Sequence, residues 1–151
     1  MSATSVQRQQ GPQEIETAVR SATECFLGLW NAHAIAEHSQ MLTGDADLVN
    51  VVGVRFRGRK AIQALHEQLH ATIFAKSETR GAEMTVAALD ATTTLVHVHW
   101  EMSGVAKLPG WNVPEPRTGV LSLVWVNQGG EWKVRAMHNT DVMEVPALPK
   151  P

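Results

Sequence analysis

The chain reads as an α+β domain: three helices over one side of a strongly bent antiparallel sheet, leaving a cone-shaped pocket open at one end. Three observations predict this. Apolar residues recur at helical spacing through most of residues 12–76, broken by two short β-branched runs. From residue 78 onward, four long runs rich in Val, Thr, Leu and Trp follow one another. Strands joined as a meander cannot all be parallel, and helices gathered on one face of such a sheet define the α+β class.

The elements follow in order. Residues 1–11 are polar and are expected to be loose. Pro12 suits the first turn of a helix, where its missing N–H costs nothing. Ile15, Val19, Ala22, Phe26, Leu29 and Trp30 then share one face to about Asn31. A second short helix, Ile35 to Leu42, is expected to stop at Gly44. Leu48–Val52 reads as a strand, Gly53 breaks it, and Val54–Arg57 reads as a brief return. Residues 59–76 revert to helix, with Ile62, Leu65, Leu69 and Ile73 on one side. The β runs are Glu78–Leu89, Thr93–Val105, Thr118–Asn127 and Trp132–Val142, with Gly129-Gly130 as a tight hairpin. The link 107–117 is too rich in Pro for a helix or a central strand. Residues 12–144 make a single domain, and the Pro-rich tail 145–151 is expected to be extended.

The composition is that of a globular protein: 151 residues, 44% hydrophobic, 19% charged. A formal net charge of −2 speaks against a broad grip on nucleic acid. Cys25 is alone, so no intrachain disulfide forms. The first ten residues lack the apolar core of a secretory signal, and no apolar run is long enough to span a bilayer. A soluble cytoplasmic protein is expected, with no membrane and no nucleic-acid partner. The side-chain inventory is unusual: five Trp, three Phe, seven His and no Tyr.

Four segments carry a resemblance. They are Phe26-Leu27-Gly28-Leu29-Trp30-Asn31-Ala32, Asp45 through Gly53, Arg57-Gly58-Arg59-Lys60-Ala61-Ile62 followed by His66 and His70, and Ala136 through Asp141. Together, in this order, they resemble the SgcJ/EcaC group of the SnoaL-like, nuclear transport factor 2-like superfamily. These proteins share the cystatin-like fold with ketosteroid isomerases. The resemblance covers about residues 13–143. It implies a homodimer, a pocket for a small hydrophobic ligand, and a role in enediyne polyketide biosynthesis, with contact to a polyketide synthase or carrier protein. No glycine-rich dinucleotide fingerprint accompanies it, and no cofactor is expected. Matched against the isomerases, the position of their catalytic Tyr falls on Phe26 and that of their general-base Asp on Asn50. Phe has no donor for an oxyanion, and Asn cannot take a proton from carbon at neutral pH. Those residues cannot run the isomerase reaction.

The remaining polar residues admit two readings each. His66-Glu67-Gln68-Leu69-His70 matches H-E-x-x-H, the zinc hydrolase motif. The helix that follows it lacks a third ligand, so a metal site is the remote alternative. At about 100° per residue, His66 and His70 lie about 40° and 80° around the helix from Ile62, bordering the buried stripe. They read either as pocket groups or as core imidazoles satisfied by backbone or water. Trp132, Val134, Ala136 and His138 alternate on one face, so His138 is expected to close an internal row. Asn139 and Asp141 fall on the other face unless a bulge intervenes. Val96, Val98, Trp100 and Met102 should face the helices. His97, His99 and Glu101 form a polar ladder opposite them, either a solvated or dimer-facing surface or a relay or metal site. Trp111 is a lid, a partner contact or a loop anchor. Arg55, Arg57, Arg59 and Lys60 read as a solvated loop or as a dock for an acidic carrier. His33 and His38 receive no role. The expected pocket is Phe26, Trp30, Asn50, His66, His70, Trp100 and His138. His66 and His138 are the candidates for acid–base chemistry, and Asn50 for a hydrogen-bond donor. An acid–base enzyme and a non-catalytic binding protein both fit this set.

Overall fold

The computed structural model describes residues 8–151, so the expected loose segment lies outside the described residues up to residue 7. Helix α1 spans Pro12–Asn31, α2 Ile35–Gln40 and α3 Arg59–Ala71. The strands are β1 Leu42–Val49, β2 Arg55–Arg57, β3 Glu78–Ala88, β4 Thr93–Ser103, β5 Arg117–Gln128 and β6 Glu131–Asp141. They form one sheet in the order β2-β1-β6-β5-β4-β3. The α+β architecture is therefore as the sequence predicts, with one change in pairing. β1 runs parallel to β6, so the sheet is mixed rather than wholly antiparallel.

Pairing also moves some boundaries. The first strand starts at Leu42 rather than Leu48, because Leu42 pairs with Val134 and the Val134 N–H donates to the Met41 carbonyl at 2.8 Å. α2 thus ends at Gln40, and Gly44 sits in an irregular stretch of β1 instead of capping the helix. Val51 and Val52 lie in a turn. The Asn50 Oδ1 accepts the Val52 and Val54 N–H groups at 3.2 and 2.9 Å, closing the loop before β2 as an Asx turn does. Gly129 and Gly130 have φ of 63° and 90°, the pair of positive angles a two-residue hairpin of type I′ needs.

α1 and α3 lay their apolar faces on the concave side of the sheet. Val19 and Phe26 from α1, Ile62 from α3, Val96 and Val98 from β4, and Leu123 and Trp125 from β5 form the main core. A second cluster, Phe74, Trp100 and Met102, lies toward the wider end. The period-two alternation of β4 is clean: Val96, Val98, Trp100 and Met102 are buried, as expected.

β6 behaves differently. Ala136 pairs with Val124 and Val134 with Trp125, so Arg135 has no partner on β5. This bulge reverses the alternation beyond it. Met137 is buried and Asn139 half-buried, while His138 is exposed on the convex face. The expected internal row of Trp132, Val134, Ala136 and His138 is thereby corrected. It runs through Val134 and then shifts to Met137 and Asn139.

The parity of β5 is directly testable. Leu123→Ala removes a side chain buried to 0% exposure and should cost about 2–4 kcal/mol in urea denaturation. Val124→Ala, on the convex face, should cost less than about 1 kcal/mol.

Candidate functional site

Beneath the helices the cone holds two neighbouring chambers. The inner one, about 70 Å³, is walled by Phe26, Trp30, His38, His66 and Trp100, with Thr79, Met137 and Asn139 among its other residues. On the scale of about 10–15 Å³ per water it has room for a few waters or a small apolar group. The outer chamber, about 320 Å³, adds Asn50, Phe74, Trp111 and Arg117. Trp30, His66, Trp100 and Asn139 belong to both walls.

Trp100 shapes the cavity. It pairs with Gly119 on β5, and its indole crosses that glycine toward β6, where Nε1 donates to the Asn139 Oδ1 at 2.8 Å. A Cβ at Gly119 would collide with the Trp100 ring and with the Thr140 carbonyl oxygen. A glycine inside a strand marks such a close approach.

The imidazoles carry the polar character. His38 is 1% exposed and stacks on Phe26, centroid to centroid 3.9 Å. His66 lies 5.8 Å from His38 and meets the Trp30 edge at 4.9 Å. The Nδ1 atoms of both have no hydrogen-bond partner among the described residues. Burial lowers the His66 pKa from 6.5 to about 4, and a nearby His70 adds to the shift. Burial lowers His38 to about 3, with His66 and His70 contributing. Both rings are therefore neutral at pH 7. Each then has one nitrogen that donates and one that accepts.

The other expected pocket residues divide. Phe26, Trp30 and Trp100 line the inner chamber, and Asn50 lines the outer one. Because Asn50 spends its carbonyl on the turn, only its amide nitrogen is left to donate. His70 lines neither chamber. It packs behind Trp30 and shares a hydrogen bond with His33, Nδ1 to Nδ1, 2.7 Å. Burial, helped by His33, lowers its pKa to about 4. His138 is on the outer face, and its expected place at the cavity belongs to Asn139.

The remaining groups sit in distinct local settings. The H-E-x-x-H pair packs on Trp30 with His70 turned to His33, and among the described residues no three His, Cys, Asp or Glu gather as metal ligands. His97, His99 and Glu101 lie on the convex face, where Glu101 pairs with Arg80 at 2.7 Å. Arg59 donates to the Leu42 carbonyl and Arg55 to Asp47, so both are committed within the fold. Trp111 lines the outer chamber, its ring 5.9 Å from the Arg117 guanidinium carbon. Four site residues escape the sequence reading: His38, Gly119, Asn139 and Arg117. His38 follows Ile35 by three residues, the spacing of one helical face, and that signal was there to use. Gly119 stood out as a glycine inside a strand. Asn139 needed the bulge, which nothing local announces.

No family model matches the chain, and no curated protein matches it significantly. Solved structures do. A protein from Caulobacter vibrioides with a cystatin-like fold is 24% identical, with 84% of this chain and 89% of that one aligned at a TM-score of 0.77. A nuclear transport factor 2-like protein of unknown function from Pseudomonas putida is 20% identical, over 93% of this chain and 100% of that one, at 0.74. A domain of unknown function with a cystatin-like fold from Nostoc punctiforme is 22% identical, over 86% and 78%, at 0.71. At such identities the likeness establishes the fold, which is cystatin-like. Among the described residues no helix is long and apolar enough to cross a membrane.

The neutral imidazoles predict a pH dependence. Unfolded, His38 and His66 take up protons below about pH 6.5. Folded, they do so near 3 and 4. The unfolded state binds more protons between those limits, so stability falls as pH drops below about 6.5, by up to about 1.4 kcal/mol per pH unit for each group. His70, lowered to about 4, contributes in the same way, so urea denaturation at pH 7.5 and 4.5 should show a loss of several kcal/mol, and His66→Gln should flatten the slope by about a third. Equal stability at both pH values would mean the rings are not held neutral. Separately, Gly119→Ala should cost about 2 kcal/mol by overpacking and shift Trp emission as Trp100 is displaced.

Proposed function

We propose that this protein, with its cystatin-like fold, binds one small, largely apolar molecule in the cone. The ligand is a conjugated polyene or another polyketide-derived intermediate, of the kind handled in enediyne biosynthesis. One observation carries the reading. Two buried, neutral imidazoles, His38 and His66, sit with Thr79 and Asn139 on the wall of a chamber otherwise built from apolar side chains. A ligand bearing a carbonyl or hydroxyl oxygen gives such rings a partner, while Trp30, Trp100 and Phe26 supply the flat surfaces that suit a conjugated chain. The pathway assignment rests on the sequence segments that resemble the SgcJ/EcaC group.

Proton transfer by His66 is the second reading, and the His38–His66 pair is what favours it. A neutral imidazole accepts at one nitrogen and donates at the other, so it can relay a proton without carrying lasting charge. A base whose conjugate acid has a pKa of about 4 is weak at neutral pH. The chemistry therefore suits an acidic C–H, as in isomerisation or cyclisation next to a conjugated carbonyl. His138, exposed on the far side of the sheet, is outside this scheme. As partners the reading takes a second copy of the chain on the convex face, where Leu95, Val120 and Val124 are half-buried, and a polyketide synthase or its carrier protein. The cytoplasm is its setting.

The test is binding of the methyl ester of a conjugated C18 tetraenoic acid, followed by quenching of Trp fluorescence. Saturable one-to-one quenching is expected, abolished by Leu121→Trp, which fills the inner chamber, and unchanged by His138→Gln. Absence of saturable quenching in the wild type overturns the reading. For the chemistry, deuterium exchange into a bound β,γ-unsaturated ketone should fall at least 100-fold in His66→Gln, with affinity kept within about threefold. Equal exchange rates leave a binding protein without catalysis.

A further inference from the structure

We propose that Arg117 is an anion subsite at the mouth of the cone, and that the ligand is an amphipathic carboxylate whose apolar chain runs inward past His66. The inference deepens the small-molecule reading above and rests on it. Arg117 opens β5 and is 4% exposed, although it carries a full charge. Its guanidinium carbon lies 5.2 Å from the Trp100 ring, 5.9 Å from Trp111 and 6.0 Å from Phe74. Weak hydration and a flat face make a guanidinium the cation best suited to such rings. Aromatic faces do not, however, occupy its N–H donors.

Asp141 is the one carboxylate paired with it, and that pairing is incomplete. Nε donates to the Asp141 Oδ1 at 2.9 Å, and Nη2 lies 2.7 Å from the same oxygen. A single oxygen thus takes one edge of the fork. Nη1 has no hydrogen-bond partner among the described residues. Arg117 lines the outer chamber, whose walls are otherwise mostly apolar. A buried charge is held there with donors to spare, and a charge-assisted hydrogen bond to an anion would use them.

A carboxylate matches both the charge and the planar fork. The rest of the ligand is set by the walls. The inner chamber does not include Arg117, and the two chambers share Trp30, His66, Trp100 and Asn139 as walls. A molecule with its acid group on Arg117 and the end of its chain in the inner chamber lies against those shared walls, His66 among them. The cone therefore reads ligands by polarity at each end: anionic at the mouth, neutral and hydrogen-bonding at the tip.

The experiment compares the conjugated C18 tetraenoic acid with its methyl ester at pH 7.5, using the polyene's own fluorescence. The acid should bind wild-type protein at least tenfold more tightly than the ester. Arg117→Gln should erase that preference by weakening the acid, with ester affinity within threefold of wild type. Asp141→Asn keeps the guanidinium and removes its competitor. It should tighten the acid at least threefold and leave the ester unchanged, a result that does not depend on whether Arg117→Gln folds. Equal affinities of acid and ester in the wild type, a preference that survives Arg117→Gln, or an acid affinity unmoved by Asp141→Asn each overturn the carboxylate site. In those cases ester binding still stands for the apolar pocket. Failure of both molecules to bind overturns the pocket reading as well.

Discussion

Arg135 has no partner on β5, and every side chain beyond it on β6 is turned by one position relative to a regular strand. The concave surface depends on that single extra residue. It puts Met137 into the core and Asn139 at the cavity, and it brings Asp141 to the same face as Arg117. The parity shift also gives Trp100 its hydrogen-bond acceptor, since the Asn139 Oδ1 receives the indole N–H. A buried indole N–H without a partner is costly, so the bulge and the orientation of Trp100 are linked. Gly119, between the two strands, lets the ring lie low enough to reach.

Once Trp100 is fixed, the cavity has two ends of different character. The inner end is lined by imidazoles that burial keeps neutral, and each would raise the cost of protonating the next. The outer end keeps a full charge, stabilised by aromatic faces and one carboxylate oxygen. Both arrangements oppose folding on their own terms. Neutral buried histidines weaken the native state in acid, and a buried guanidinium must be drawn out of water. The core of α1, α3, β4 and β5 offsets these costs, with Val19, Ile62, Val96, Val98 and Leu123 fully enclosed.

The sequence made most of this visible. The long helices and the four β runs were legible from periodicity, because each buries one face and a period of 3.6 or 2 follows from that. The inward set on β4 was legible for the same reason. β1 was less so. Its start is set by pairing with β6, a partner far away in sequence, and local composition carries no trace of it. The bulge is a similar case. Trp132, Val134, Ala136 and His138 make a regular alternation on paper, and only the register against β5 breaks it. His38 was readable from its distance to Ile35, but a six-residue helix gives little periodicity to weigh. Arg117 gave no signal. An arginine after a Pro-rich link looks solvated until the fold sets aromatic rings around it.

The two positions that match the isomerase constellation show how the polar groups are distributed instead. Phe26 supplies a face on which His38 stacks, so the first helix offers a surface where the isomerases have a donor. Asn50 is held by its own turn, with its carbonyl accepting two backbone N–H groups. Neither can drive chemistry on a substrate, yet each builds the cavity: one wall of the inner chamber and the rim of the outer one. The polar groups on the cavity walls come from other elements: His38 on α2, His66 on α3, Asn139 on β6 and Arg117 on β5. Three of them, His38, His66 and Asn139, line the inner chamber, while Arg117 lines only the outer one. The cavity therefore carries neutral hydrogen-bonding groups at its inner end and a charge at its outer end.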